Sequence, residues 1–533
     1  MKKLLIILLL IASPAWAADI YVSTSGSGST CSAGSPCALS YANSNADDND
    51  IVYLLAGPYD NDGYINPTNS GSSGNPITYQ GVGTVTITGQ TYGVYLSGDS
   101  YITIQGITFD SNGMFGYIDN SSTYNIIDNC TFSNSTNTSF STGLRIFHGS
   151  NYNWIKNCTM FKAGVCSGGE DAGSILDLGW DETGYEVDYN LVENNTLYHG
   201  GHHVVNVGGR YNVIRNNYIY HDAWMSGNTI GNRTLGLGGQ GAASKENLIE
   251  NNKFGYADTP CDAPTSGAPN LQISTSSNIV RYNSIYHSNI AGLQLYTYSD
   301  SDVRYNKVYN NTFFNNANAS YQPSSPDGEA IGAIYFYGNG SSSIADNYFK
   351  NNLYYSHNYL YDDEFDTELA LQHFANEWGD DSDSTDPLFT NASTTRPADK
   401  TDSTVPDLNL QYGSPAINQG GALTTVSSGC SGSTSQIVLN DASYFQDGTW
   451  GLASEVDADW IAVGSVTNTV QISSISSNTV NLASSISCSN SDKVWLYKDS
   501  DGTRVLYGFA PDVGAYEYSS TTQSITGVQI GKF

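Results

Sequence analysis

The sequence predicts an all-β solenoid, and three observations carry that expectation. Gly, Asn, Ser, Thr and Tyr dominate the composition, and long helical apolar periods are almost absent. One phrase recurs as "YNIIDNCTFSNS" from Tyr124, "YNWIKNCTMFKA" from Tyr152, "YNLVENNTLYHG" from Tyr189 and "YNVIRNNYIYHD" from Tyr211, then more loosely from Glu246, Ser277, Tyr305 and Asp346. With the second residue of each phrase as origin (Ile102, Asn125, Asn153, Asn190, Asn212, Asn247, Asn278, Asn306, Asn347), the spacings are 23, 28, 37, 22, 35, 31, 28 and 41 residues. A short unit with variable inserts is the mark of stacked coils.

Each position of the phrase has its own chemistry. Two past the origin stand Ile127, Ile155, Val192, Ile214, Ile249, Val280, Val308 and Phe349, and seven past it an equally apolar series from Phe132 to Tyr354. Both are expected to face inward. Four past it, Asn129, Asn157, Asn194, Asn216, Asn251, Asn310 and Asn351 form a column, broken by Tyr282, that is expected to hydrogen-bond from coil to coil. Three past it come Asp128, Lys156, Glu193, Arg215, Glu250 and Arg281, alternating in sign. Opposite charges on neighbouring strands attract by roughly 0.2 to 1 kcal/mol, so these side chains are expected to serve structure, not catalysis.

Residues 1–17, "MKKLLIILLLIASPAWA", read as an export signal with two lysines, a short apolar run and a small-residue cleavage site. The apolar run is too short for a membrane span, and none is expected in the mature chain. The net charge of −31 argues against nucleic acid, and none is expected as a partner. Eight cysteines without a C-x-x-C spacing suggest disulfides. Cys31 with Cys37 and Cys430 with Cys488 are the local pairs, Cys130 and Cys158 share a repeat position, and Cys166 with Cys261 remain.

The repeats resemble the right-handed parallel β-helix of the pectate-lyase-like superfamily over roughly residues 19–360. The opening "IYVSTSGSGSTCSAGSPCALSYANSNADDNDIVYLLAGPYD" is similar to the start of secreted β-helix proteins, with a capping helix near residues 37–46 and a first strand at 51–55. "DPLF" at Asp386, "LNLQYGSPAINQGG" from Leu408 and "PDVGAYEY" from Pro511 resemble their closing segment. The organisation read from the chain is a cap and first strand (18–56), the β-helix (57–360), an acidic linker and closing segment (361–421), a small β module of short alternating strands (422–508) and a closing strand and tail (509–533).

Large inserts follow the repeats at Asn153, Asn212, Asn247 and Asn306 at one phase of the phrase, which predicts walls along one side of the coil and an open groove suited to a polymer. His199, His221 and His287 lie nine past their origins, at the mouth of those inserts, and Tyr256 holds the same position between them. His202 and His203 follow His199 closely. The sharpest expectation is that His199 and His221, one unit apart, stack in adjacent coils with at least one ring neutral and able to take a proton. Arg233 is the cation expected to stabilise the developing charge, and Lys245, His203, His287, Trp224 and Tyr256 are expected to bind the chain. The resemblance implies a polysaccharide substrate. A lyase would use a histidine with a cation, whereas a hydrolase would use two carboxylates from the insert carrying Glu170, Asp171, Asp177 and Asp181. The same acids, or the ten carboxylates between positions 362 and 386, can hold calcium. The competing class is a non-catalytic glycan-binding surface or adhesion protein.

Overall fold

The computed structural model describes residues 17–519 apart from 61, 138–142, 164–172, 180–186, 202, 221–232, 239–244, 258–268, 289, 298–301, 318–331, 338–342, 358–360, 364–373, 376–384, 395–404 and 453. The export signal, Cys166, Cys261 and most of the acidic stretch at 362–386 therefore lie outside the described residues.

Each coil of the β-helix contributes three short strands. Trp154–Lys156, Leu191–Glu193, Val213–Arg215, Leu248–Glu250 and Ile279–Arg281 follow one another in parallel register on the first face. Thr159–Phe161, Thr196–Tyr198 and Tyr218–Tyr220 continue on the second. The third face is a separate ten-stranded sheet that includes Leu144–Ile146, Ser174–Leu178, His203–Val207 and Arg233–Leu237. Both predicted apolar columns point inward, and from Ile127 and Phe132 to Phe349 and Tyr354 they lie in one continuous buried core. At the start of the chain the helix Leu39–Asn45 adds Leu39 and Ala42 to that core.

The corners explain the asparagines. The predicted four-past column is a left-handed corner, with φ of 51° at Asn129, 57° at Asn216 and 55° at Asn351, and asparagine is there because it tolerates that backbone. Apart from Asn351 to Asn310 at 3.4 Å, the coil-to-coil amide bonds are made one position before the first-face strand and two positions after it. From Asn125 to Asn347 the origin residues donate Nδ2 to the next Oδ1, at 3.0 Å for Asn125 to Asn153 and 2.8 Å for Asn306 to Asn347. A second file, five past the origin, runs through Asn195, Asn217, Asn252, Asn283, Asn311 and Asn352. Cys130 and Cys158 occupy its first two rungs, and the expected bridge between them is not formed: both are buried free thiols. Their sulfurs turn to backbone carbonyls, Cys158 Sγ to that of Lys156 at 3.1 Å. Side chains held parallel at the strand spacing of about 4.8 Å stand wider than the 3.8 Å between Cβ atoms that a disulfide prefers. Cys31–Cys37 and Cys430–Cys488 are bridged as expected.

The module is a closed six-stranded antiparallel barrel built from residues 424–498. It sits on the outer surface of the first face. Leu191, Val213, Leu248 and Ile279, which point away from the coil interior, pack with barrel side chains such as Val463 and Leu496. From Glu193 to Arg281 the alternating charges are buried under it, whereas Asp128 and Lys156 pair at 3.8 Å and stay partly exposed. Arg215 pairs with Glu193 at 2.7 Å and donates to the carbonyls of Ser500 and Glu455. Arg281, fully buried, pairs with Glu250 and Asp459 at 2.7 Å each. The columns are structural, as expected, but they anchor a second domain as well as alternating along the coil.

The closing segment packs along the outer surface of the second face, where Phe389, Leu408, Leu410 and Val513 cluster with Tyr220, Tyr256, Tyr286, Phe314 and Leu353. Phe389–Asn391 pairs antiparallel with Asp407–Leu410, and Gly514 N–H donates to Asn351 O at 2.8 Å.

Candidate functional site on the third face

In five successive coils the third face carries two aliphatic residues about a polar residue or glycine: Leu144-Arg145-Ile146, Leu176-Asp177-Leu178, Val205-Asn206-Val207, Leu235-Gly236-Leu237 and Leu271-Gln272-Ile273, all in register. The aliphatic residues enter the core, so alternation turns Arg145, Asp177, Asn206, Gly236 and Gln272 outward. Arg145 lies 3.4 Å from Asp177, donates to the Tyr117 hydroxyl at 3.1 Å and covers the Phe147 ring at 4.0 Å. Burial raises the Asp177 carboxyl above its ordinary range against the opposing pull of Arg145, Ser174 and Asn206. Gln272 Nε2 and Asn206 Oδ1 are buried without a hydrogen-bond partner among the described residues.

At the start of these strands Ser174, His203 and Arg233 are register partners. Gly236 decides where the His203 ring goes. A Cβ at residue 236 would stand 2.6 Å from His203 Nε2, so the ring occupies space that any other residue there would fill. Two residues singled out from sequence, His203 and Arg233, are thus brought side by side, with Asp177 and Asn206 on the same face.

The other expected site residues are dispersed. His199 sits at the left-handed corner between the second and third faces, φ 59°, edge-on to Tyr198 at 4.6 Å between ring centroids. Its proposed partner His221 lies outside the described residues, as do Trp224, Glu170, Asp171, Asp181 and His202. Tyr256 and His287 hold the same corner in later coils, stacked at 5.3 Å and fully buried. Asn315 donates to His287 Nδ1 at 2.7 Å and Nε2 donates to Ser393 O at 3.0 Å. Neither ring offers a face to a sugar. Histidine recurs at this corner because it tolerates left-handed backbone better than most residues. Lys245 lies between Arg210 and Ser276 at the opposite end of the third face, away from His203. Among the described residues no group of three or more His, Cys, Asp or Glu is placed to hold a metal ion.

Comparison with known proteins agrees with this architecture. The model of the right-handed β-helix region matches residues 71–220 and 183–367, more than half of the chain. The chain belongs to the right-handed β-helix family. No curated protein matches it in sequence. Among solved structures, pectate lyase Pel9A is similar at 16% identity over 77% of this chain and 94% of its own, TM-score 0.46. An alginate lyase from Paenibacillus sp. strain FPU-7 is similar at 16% identity over 61% of this chain and 99% of its own, TM-score 0.40. The A-module of the mannuronan C-5 epimerase AlgE6 from Azotobacter vinelandii is similar at 13% identity over 57% and 84%, TM-score 0.35.

Proposed function

We propose that the protein is an exported polysaccharide lyase acting on a uronate-containing chain laid along the third face. The observation that carries this reading is the register pairing of His203 with Arg233, with the His203 ring lying against Gly236. Elimination needs a neutral base for the proton on the carbon beside the uronate carboxyl, and a cation where negative charge develops. In this reading His203 takes the proton, Arg233 holds the carboxylate, and the electron pair expels the glycosidic oxygen, which takes up a proton from solvent. The protein is acidic overall, so a uronate has to be neutralised locally, and Arg233 and Arg145 are the cations in the third-face strands among the described residues. Asp177 keeps Arg145 and Asn206 aligned. Calcium can share the neutralising role, which makes it an arm of the test.

A hydrolase would need a second carboxylate opposite Asp177, and none stands beside it among the described third-face residues. The test is a panel of pectate, alginate and neutral polysaccharides assayed for unsaturated and for reducing ends, with calcium and with chelator, in the natural protein and in His203→Ala. A lyase yields both signals, and His203→Ala loses both. Reducing ends alone would indicate hydrolysis. Binding without turnover would indicate a glycan-binding protein.

A further inference from the structure

Along the corner that leads into the first face, tyrosines stack as a continuous column. Tyr101, Tyr124, Tyr152, Tyr189 and Tyr211 follow one another at 5.0 to 5.1 Å between centroids, with planes within 21°. The column then misses two rungs. The next coils place Glu246 and Ser277 at the same position before Tyr305 resumes it, as the backbone bonds Tyr211 N–H to Glu246 O and Ser277 N–H to Arg304 O show. The barrel roofs the gap. Gly451 N–H donates to Tyr211 O at 2.6 Å, and Trp450 leans over Tyr211 at 5.8 Å and 56°.

The result is a cavity of about 580 Å³ between coil and barrel, with Tyr211, Glu246, Ser277 and Trp450 among its lining. That is within the range of about 300–1,000 Å³ found for small-molecule sites. Two of its three carboxylates are engaged: Asp441 pairs with Lys307 at 2.7 Å, and Asp447 accepts from Thr449 Oγ1 and Ile475 N–H. The third, Glu246, has the Tyr211 hydroxyl as a hydrogen-bonding neighbour, while its Oε2 is buried without a hydrogen-bond partner among the described residues.

The geometry points to a second glycan site, one that takes a neutral, hydroxyl-rich sugar ring in place of the missing rungs. Aromatic faces suit the C–H faces of a pyranose, and a carboxylate oxygen is a strong acceptor for a sugar hydroxyl. No lysine or arginine is among the lining residues, so the cavity discriminates against the uronate assigned to the third face. The site is formed by barrel and coil together, which gives the barrel a role in holding the protein on a mixed polysaccharide.

The test fills the gap. Every tyrosine of the column has φ between 56° and 62°, and Ser277 has φ 62°, so Ser277→Tyr asks nothing new of the backbone. Calorimetric titration with cellohexaose, xylohexaose and mannohexaose, with hexagalacturonate as the anionic comparison, is expected to show binding of at least one neutral hexaose. Ser277→Tyr should weaken it at least tenfold with an unchanged melting temperature, and Glu246→Gln should weaken it less. His203→Ala should bind as the natural protein does, so the outcome does not depend on the lyase reading. Absence of binding to all three neutral hexaoses, or equal binding by Ser277→Tyr, would overturn the proposal.

Discussion

Arg281 and Asp459, 178 positions apart, meet in a two-pronged pair, Nη1 to Oδ2 at 2.7 Å and Nη2 to Oδ1 at 2.8 Å, with neither side chain exposed. Glu250 takes the remaining Nε–H, and Tyr309 Oη lies 3.0 Å from Nη1. Asp459→Ala leaves a buried guanidinium with one carboxylate instead of two. Removing one partner of a buried pair costs about 3–5 kcal/mol. The expected result is a fall of that size in unfolding free energy by urea titration, and a loss under 1 kcal/mol would show that the pair is not holding the barrel down.

The same interface titrates. Burial, with Glu250 and Asp501 beside it, pushes the Asp499 carboxyl up to about 9. Burial also pulls Asp501 upward, but hydrogen bonds from Asp499, Thr503 and Asn216 outweigh it and hold Asp501 at about 2. For Asp499 the folded state keeps a proton that the unfolded chain releases near 3.8, so its stabilising contribution is full below that value and is lost as pH rises towards 9. For Asp501 the sign is opposite, and stability is lost only as pH falls from about 4 towards 2. Asp499→Asn should therefore flatten the decline in melting temperature between pH 5 and 9, and parallel profiles for the two proteins would contradict this account.

Gly236→Ala tests the third-face site while leaving every reacting side chain chemically intact. The new Cβ displaces the imidazole of His203, the movable partner in that contact, so the cost to stability is small. Turnover should fall at least tenfold on whichever polysaccharide responds, with the melting temperature within a few degrees. Undiminished turnover would remove His203 from the mechanism.

Thiol chemistry separates the two kinds of cysteine. Burial and the neighbouring Cys130 raise the Cys158 thiol well above its ordinary range, and both sulfurs are shut off from solvent, so neither Cys130 nor Cys158 should alkylate in the folded protein. In denaturant without reductant both should label, and the peptides holding Cys31, Cys37, Cys430 and Cys488 should not. An unlabelled Cys130 under those conditions would mean that it is bridged.

The first-face phrase is legible in the sequence because every residue in it meets its own copy in the next coil, and one physical demand is written out repeatedly. The left-handed corners are harder to read. Asparagine serves equally as a corner residue at 216 and as a ladder amide at 212 and 217, and only the backbone angle separates the two uses. The third-face triplets are as regular as the phrase, but variable inserts precede them, and their outward residue changes from Arg145 to Asp177, Asn206, Gly236 and Gln272. Asp177 therefore looks like one acid among several in an insert rather than a strand residue beside Arg145. The barrel contact has no local signature at all, since Arg215 reaches Ser500 across 285 positions. Its one trace is the run of outward aliphatics Leu191, Val213, Leu248 and Ile279, which have no reason to face water.

The barrel also changes how the protein comes apart. In a simple stack each coil leans only on its neighbours, and rungs can peel away one by one from either end. Here Arg215, Asn251, Arg281, Lys307 and Lys350, from five successive coils, are each tied to one rigid body through Ser500, Asp499, Asp459, Asp441 and Leu423. That body acts as a splint across the break line. Pulled by its ends, the molecule should fray through the coils ahead of Trp154 and then stop, until the whole splinted length lets go in a single event.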